Sequence, residues 1–444
     1  MTRIALVVLD TLRKDAFDQH FSWLPGRRFE QAWSTAKWTM PAHASLFTGT
    51  YASEAGANAN SEGLDRPEPV LAELLSRAEY TPRAFSANLM VSPVFGFDRG
   101  FDSFEGTWRV NVNSKGITGW RELFQNSHSG AKKYATIAKG MTAGWYRILP
   151  SIKTGLAQRL TDRYVRTLFE QPHRDDGAAP LLRSLQQNRY ADADFLFVNL
   201  MEAHAPYDPP ESYRTTEDAS YDEVAATLTD DEPDGRLVRG AYNDSVRYLA
   251  DQYERIFAEL QRRFDYVITL SDHGELFGEH GSWRHLHGVY PELTRIPIVI
   301  SGEGLSGACS KTVSLLDVHR TILDLLNVEA VSRGQNLLGT IDDRFYLVEY
   351  EGLRAARLEK MRDRYPDELV RSYDRPLNGL AGPNEYYGYQ TLEGWEERGS
   401  STAENPPLLL RELAASITRR DEDRQSSVPV SEDVRARLED LGYA

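Results

Sequence analysis

Three apolar runs, each five or six residues long and each ending in polar side chains able to bind a metal, constrain this 444-residue chain more than any other feature. Ile4-Ala-Leu-Val-Val-Leu9 stops at Asp10, Phe195-Leu-Phe-Val-Asn-Leu200 leads into Glu202 and His204, and Tyr266-Val-Ile-Thr-Leu270 runs into Ser271, Asp272 and His273. Unbroken apolar runs of this length describe strands buried on both faces, as parallel strands are when helices cover them. Helical periodicity fills the gaps, notably over residues 69–77 and 237–263, and a further run over 296–300 precedes a helical pattern over 315–326. The alternation predicts an α/β sheet, and such sheets bind ligands beyond the carboxyl ends of their strands.

Composition removes several other classes. With 41% hydrophobic and 26% charged residues and a mean hydropathy of -0.50, the chain is neither a membrane-spanning bundle, nor a collagen-like repeat, nor a disordered polymer. Its net charge of -15 speaks against nucleic acid as a partner, because binding phosphate backbones needs a basic face. Cys309 is the sole cysteine, so a metal site must be built from His, Asp and Glu. The first apolar run is too short for a secretory core, and no segment approaches the roughly 18–20 apolar residues of a spanning helix, so a cytoplasmic location is expected.

The length suits one large unit with a smaller companion. A catalytic α/β domain is expected over residues 1–335 and a smaller, polar, Arg- and Glu-rich subdomain with loose connections over 336–444. Two insertions interrupt the rhythm. A basic helical lobe is expected at about 109–190; eleven basic and two acidic residues between Arg109 and Arg166 give it +9 in a chain that carries -24 elsewhere. Trp120, Tyr134, Trp145 and Tyr146 interleave with those cations, which suits an anionic membrane surface or a phosphate-bearing substrate, while the plainer reading is a solvated basic face. The acidic stretch at about 215–236 reads as a surface loop.

Asp10, Asp272 and His273 offer two hard carboxylates and an imidazole, a set suited to one divalent ion, Mg²⁺, Mn²⁺, Zn²⁺ or Ca²⁺. In Trp38-Thr-Met-Pro-Ala-His-Ala-Ser-Leu-Phe-Thr-Gly49, Pro41 suits a first helical turn and Gly49 a helix end, which puts Thr39 at a helix N-terminus. Thr39 is there either a cap or a nucleophile at an anion-attracting position. His273, His280, His285 and His287 crowd one short segment, although the chain has only ten histidines. Imidazoles can donate to ester oxygens or protonate a leaving group near neutral pH.

Taken in order, Ile4 to Asp15, Thr39-Met-Pro-Ala-His43 through Leu46-Phe-Thr-Gly49, His204-Ala-Pro-Tyr207, Ser271-Asp-His-Gly-Glu275 and Arg295-Ile-Pro297 resemble the motifs of the sulfatase branch of the alkaline phosphatase superfamily. The likeness covers about residues 1–330 and the terminal Leu438-Glu-Asp-Leu-Gly-Tyr443. It implies a mixed, mostly parallel central sheet flanked by helices, with a smaller C-terminal subdomain. It also implies a metal held by Asp10, Asp272 and His273 with Thr39, the last at the nucleophile position. His204 and one of His285 and His287 would act on the transferred group or leaving oxygen, and His43, Asn88 and Arg284 would line the substrate. Spacing does not choose between His285 and His287.

The chain departs from the formylglycine sulfatases at three positions. They need Cys or Ser where Thr39 stands; His43 replaces their motif's Arg, and Thr11 replaces the second of their paired aspartates. A threonine there resembles the phosphodiesterases and phosphoglycerol transferases of the superfamily. The expectation is therefore a metal-dependent hydrolase or transferase of phosphate or sulfate esters, phosphodiesters favoured, with a glycan or lipid headgroup as the ester's carrier. The alternatives are a sulfatase proper and an inactive binding protein of the same fold.

Overall fold

The computed structural model describes residues 1–57, 63–64, 66–108, 177–217 and 219–420, together with Val434 and Leu438. The basic stretch between Arg109 and Arg166, and with it the expected membrane or substrate contact, lies outside the described residues.

Ten of the strands run, in chain order, as β1 (Ile4–Leu9), β2 (Arg27–Trp33), β3 (Pro82–Ser86), β4 (Ser103–Gly106), β5 (Phe195–Leu200), β6 (Tyr266–Leu270), β7 (Leu276–Phe277), β8 (Trp283–Arg284), β9 (Ile298–Gly302) and β10 (Ala308–Ser314). Eight of them form one sheet in the order β10-β2-β9-β6-β1-β5-β3-β4, while β7 and β8 make a separate hairpin. All neighbouring pairs in the sheet are parallel except those of β9, which is antiparallel to both β2 and β6. The sequence suggests no such reversal at residues 296–300. It follows from the path: the chain leaves β6 at the carboxyl edge, builds the segment 271–297 there, and must return downward.

β1 is central and fully buried, and its side chains alternate between two cores. Ile4, Leu6 and Val8 pack with Met40, Leu46 and Phe47 of the helix Thr39–Thr48. Ala5, Val7 and Leu9 pack with Tyr242, Val246, Leu249 and Tyr253 of the helix Gly235–Gln261. That helix buries Val238, Tyr242, Val246, Leu249, Tyr253, Ile256 and Leu260, a spacing of three and four that keeps one stripe on the sheet. Each such side chain contributes roughly 1.5–3 kcal/mol by leaving water. No described helix is long and apolar enough to cross a membrane.

The acidic stretch is not a plain loop. It contains the helix Glu223–Leu228, started by the Asp222 side chain, which accepts from the Val224 and Ala225 amides. Nor is the C-terminal part loosely connected. β11 (Tyr346–Tyr350), β12 (Leu377–Gly382), β13 (Tyr386–Gln390) and β14 (Trp395–Arg398) form an antiparallel sheet in sequence order. Its tyrosines dock on the main domain: Tyr387 stacks on Trp33 at 4.1 Å, and the Glu349 amide donates to the Thr35 carbonyl (2.8 Å). The small sheet thereby fixes the 33–38 segment that delivers Thr39.

Candidate active site

Strand register assembles the site. Leu9 lies beside Leu200 and Val8 beside Leu270, so Asp10, Met201 and Ser271 leave the sheet along one edge. Asp10 and Asp272 each commit one carboxylate oxygen to the frame. Asp10 Oδ2 accepts from Asn88 Nδ2 (2.7 Å) and Asn199 Nδ2 (3.2 Å), and Asp272 Oδ1 accepts from the amides of Thr11 (3.2 Å) and His273 (3.0 Å). Their other oxygens, Asp10 Oδ1 and Asp272 Oδ2, are buried without a hydrogen-bond partner. His273 Nδ1 donates to the Gly274 carbonyl (2.9 Å), which leaves the Nε2 lone pair 3.9 Å from Asp10 Oδ1 and 3.5 Å from Asp272 Oδ2.

Burial, and then the charge of Asp272, push the Asp10 carboxyl up to about 8. Burial pushes Asp272 up to about 7 and His273 down. Two fully buried carboxylates with orphaned oxygens cost the fold free energy unless a cation occupies their midst. The three donor atoms lie within 4.8 Å of one another, and a His whose Nδ1 is tied to a backbone carbonyl is the usual form of a metal-ligating imidazole. The donor set therefore fits a hard divalent ion.

Thr39 opens its helix, with Trp38 as N-cap in an extended conformation, and its Oγ1 lies 3.3 Å from His273 Nε2. The helix ends at Gly49, φ 67°, where a Cβ would stand 2.3 Å from His319 Nδ1, so only glycine closes it there. Gly274 is needed for approach instead: a Cβ would lie 2.1 Å from the Glu292 carbonyl oxygen.

The remaining expected residues divide between site and frame. His204 and His285 converge: the His285 ring centre lies 4.8 Å from that of His273 and 5.4 Å from that of His204. His204 Nδ1 donates to the Ala205 carbonyl (2.6 Å), and His285 Nδ1 lies 2.9 Å from Glu275 Oε1. Burial holds His204 down to about 3 and His285 well below its ordinary value. His287 instead packs edge-on against Tyr350 and Tyr373 in the wall formed by the small sheet.

His43, Asn88 and Arg284, the expected substrate-lining residues, make these contacts within the protein. His43 Nδ1 donates to the Thr39 carbonyl (2.9 Å) and Nε2 accepts from Asn199 (3.1 Å), so both ring nitrogens are spent within the frame. Asn88 Nδ2 orients Asp10 while its Oδ1 accepts from the Met90 amide. Arg284 pairs with buried Glu223 (2.6 Å), which also takes Arg357. Thr11, in the left-handed region at φ 57°, turns its hydroxyl to the Asp10 carbonyl (2.7 Å).

Sequence reasoning missed Glu275, Tyr207, Asn199 and Lys37. Glu275 Oε2 accepts from the Tyr207 hydroxyl (2.9 Å), which completes a Tyr–Glu–His chain behind His285. Asn199 had a signal, being the one polar residue in an apolar strand.

The surrounding architecture is alkaline phosphatase-like. The chain belongs to the sulfatase family: the family model described as Sulfatase matches residues 19–328. It is 25% identical over 357 residues to "Uncharacterized sulfatase YidJ" of Escherichia coli (strain K12), a match covering 73% of this chain and 66% of that relative. Among solved structures, phosphonate monoester hydrolase SpPMH from Silicibacter pomeroyi superposes with a TM-score of 0.61 at 16% identity, covering 94% of each chain. BT4656, solved with its substrate D-glucosamine-2-N,6-O-disulfate, superposes with a TM-score of 0.57 at 13% identity, covering 94% of this chain and 98% of its own.

Proposed function

We propose that the protein is a metal-dependent phosphoesterase, preferring diesters, in which Thr39 is the nucleophile. The observation that carries this reading is a threonine hydroxyl at a helix N-terminus, 3.3 Å from the imidazole of a buried Asp10/Asp272/His273 donor set. The formylglycine route to sulfate esters starts from Cys or Ser, and Thr39 supplies neither. A divalent ion held by Asp10, Asp272 and His273, with Thr39 beside it, would favour the ionised hydroxyl and offset charge on the transferred oxygens.

Thr39 Oγ1 forms a bond to phosphorus as the bond to the leaving oxygen breaks. The hydroxyl proton goes to water, and the leaving oxygen takes a proton from His285 Nε2, the ring atom that Glu275 does not engage. Burial raises the Glu275 carboxyl and lowers His285, so one proton held between Oε1 and Nδ1 keeps the pair neutral. Water then attacks the same phosphorus, returns a proton to His285 and releases Thr39, which regains its own. His204, its ring centre 5.4 Å from that of His285, is the second imidazole beside this step. The substrate is an anionic ester, with a sugar or lipid headgroup as its carrier.

The phosphonate monoester hydrolase neighbour supports phosphorus chemistry. The disulfated-glucosamine complex favours a second reading, sulfate-ester hydrolysis. A panel of aryl phosphodiesters, phosphonate and phosphate monoesters and aryl sulfates separates them. Diesters should lead in kcat/KM, and Thr39→Ser should keep measurable activity; efficient aryl sulfate cleavage by unmodified protein would transfer the conclusion to the second reading.

A further inference from the structure

The loop that carries His285 is held by contacts from outside itself. Arg284, just before it, sits in the left-handed region at φ 52°, and Gly288, just after it, at φ 87°. A non-glycine residue adopts that conformation at a cost, so the loop needs an external tie. Lys37 supplies one. It is buried, and its Nζ donates to the carbonyls of His285 (2.6 Å) and Leu286 (2.9 Å), with the Tyr350 ring centre 5.0 Å away. Lys37 stands two residues before Thr39, in the connection between β2 and the nucleophile helix.

We infer that Lys37 is a positioning residue that fixes the distance between the attacking hydroxyl and the leaving-group donor. Glu275 grips the His285 ring while Lys37 grips its main chain, so the imidazole is held at both ends and tied to the segment that carries Thr39. A methionine at 37 fills similar space but donates no hydrogen bond, and two buried carbonyls lose their donor. Attack by Thr39 does not need the tie; protonation of a poor leaving group does. The inference rests on the reading of His285 as leaving-group donor given above.

The test is a series of aryl phosphodiesters of rising leaving-group pKa, measured on the metal-loaded protein, with Lys37→Met, Lys37→Arg and His285→Gln. Lys37→Met should lose about 10²-fold in kcat on the poorest leaving group, in the range of a missing general acid, and only a few-fold on 4-nitrophenyl esters. Its metal content and KM should stay near wild type. Lys37→Arg should restore the wild-type slope. His285→Gln should show the same selective loss, and the double variant should be no worse than His285→Gln alone. An equal loss on every leaving group, or none, in Lys37→Met overturns the inference while His285→Gln keeps its selective loss. If His285→Gln shows no leaving-group selectivity, it is the reading of His285 that falls, and the role of Lys37 with it. Should Lys37→Met not accumulate as folded protein, Lys37→Gln, too short to span to both carbonyls, is read against the same outcomes.

Discussion

Two buried acidic sites in this molecule are built on opposite principles. At Asp317, in the helix Leu315–Leu325 beneath the small sheet, every carboxylate oxygen has donors: the Ser314 amide (2.7 Å) and Tyr346 hydroxyl (2.8 Å) on Oδ2, and the Gln335 amide (2.8 Å) on Oδ1. Gln335 closes the network through Tyr346 Oη (2.9 Å) and Asp342. At Asp10 and Asp272 one oxygen of each is saturated and the other has no partner. Burial raises all three carboxyls, Asp317 to about 6 against about 8 and 7 in the crevice. Burial alone thus does not mark a functional acid. Nor does an unfilled oxygen alone, since Glu349 Oε1 in β11 lacks a hydrogen-bond partner too; what sets Asp10 and Asp272 apart is that two such oxygens converge with the His273 imidazole, all donor atoms within 4.8 Å of one another.

The largest effect that follows is kinetic. Asp272→Asn should lower metal content and turnover by more than the ~10–100-fold that loss of an outer partner costs, without lowering the melting temperature of metal-free protein. Elemental analysis, kinetics and thermal melts of one preparation check this, and normal turnover after exhaustive chelation of the wild type would break the contrast. Asn88→Ala, which releases Asp10 Oδ2 from its 2.7 Å bond, should cost about 10–100-fold in metal affinity.

Asp317→Asn should do the reverse: lose about 1–3 kcal/mol of stability with kcat/KM near wild type, because one amide oxygen cannot serve donors on both sides. Urea midpoints report it, and a kinetic defect matching that of Asp272→Asn would erase the distinction between the two sites.

The Asp10 and Asp272 side of this contrast was legible in the sequence. The three strands and the residues at their ends are visible because a fully buried strand must be apolar throughout, and any polar residue at its exit stands out. Which imidazole faces the crevice was not. His285 and His287 are separated by one residue, and the choice is set by the β7–β8 hairpin and by Arg284 at positive φ, a conformation that local sequence does not announce. The direction of β9 was hidden for a similar reason, since Ile298–Gly302 reads alike in either orientation. The small sheet escaped because Tyr386-Tyr-Gly-Tyr389 is buried against Trp33 and its surroundings, a contact between segments far apart in the chain.

The smallest effect concerns pH. Burial holds Glu349 in β11 up to about 7, above its ordinary 4.5. A carboxyl whose folded pKa is raised gives stability that is complete below about pH 4.5 and lost as pH rises through 7, because the folded state binds the proton more tightly. Glu349→Gln should flatten that fall, measured as urea midpoints at about pH 5 and 8 with m unchanged. A variant whose slope matches the wild type would show that the group titrates alike in both states.

The central claim is that Thr39 becomes covalently linked to the transferred group. Metal-loaded enzyme mixed with excess aryl phosphodiester, quenched in acid within one turnover and digested, should yield the peptide containing Thr39 with the added mass of the phosphoryl ester. The same treatment of Thr39→Ala should give no adduct and no turnover, in a protein that keeps its fold and most of its metal. Turnover by Thr39→Ala near the wild-type rate, with no adduct on the native peptide, would contradict the account and return Thr39 to the role of a helix cap.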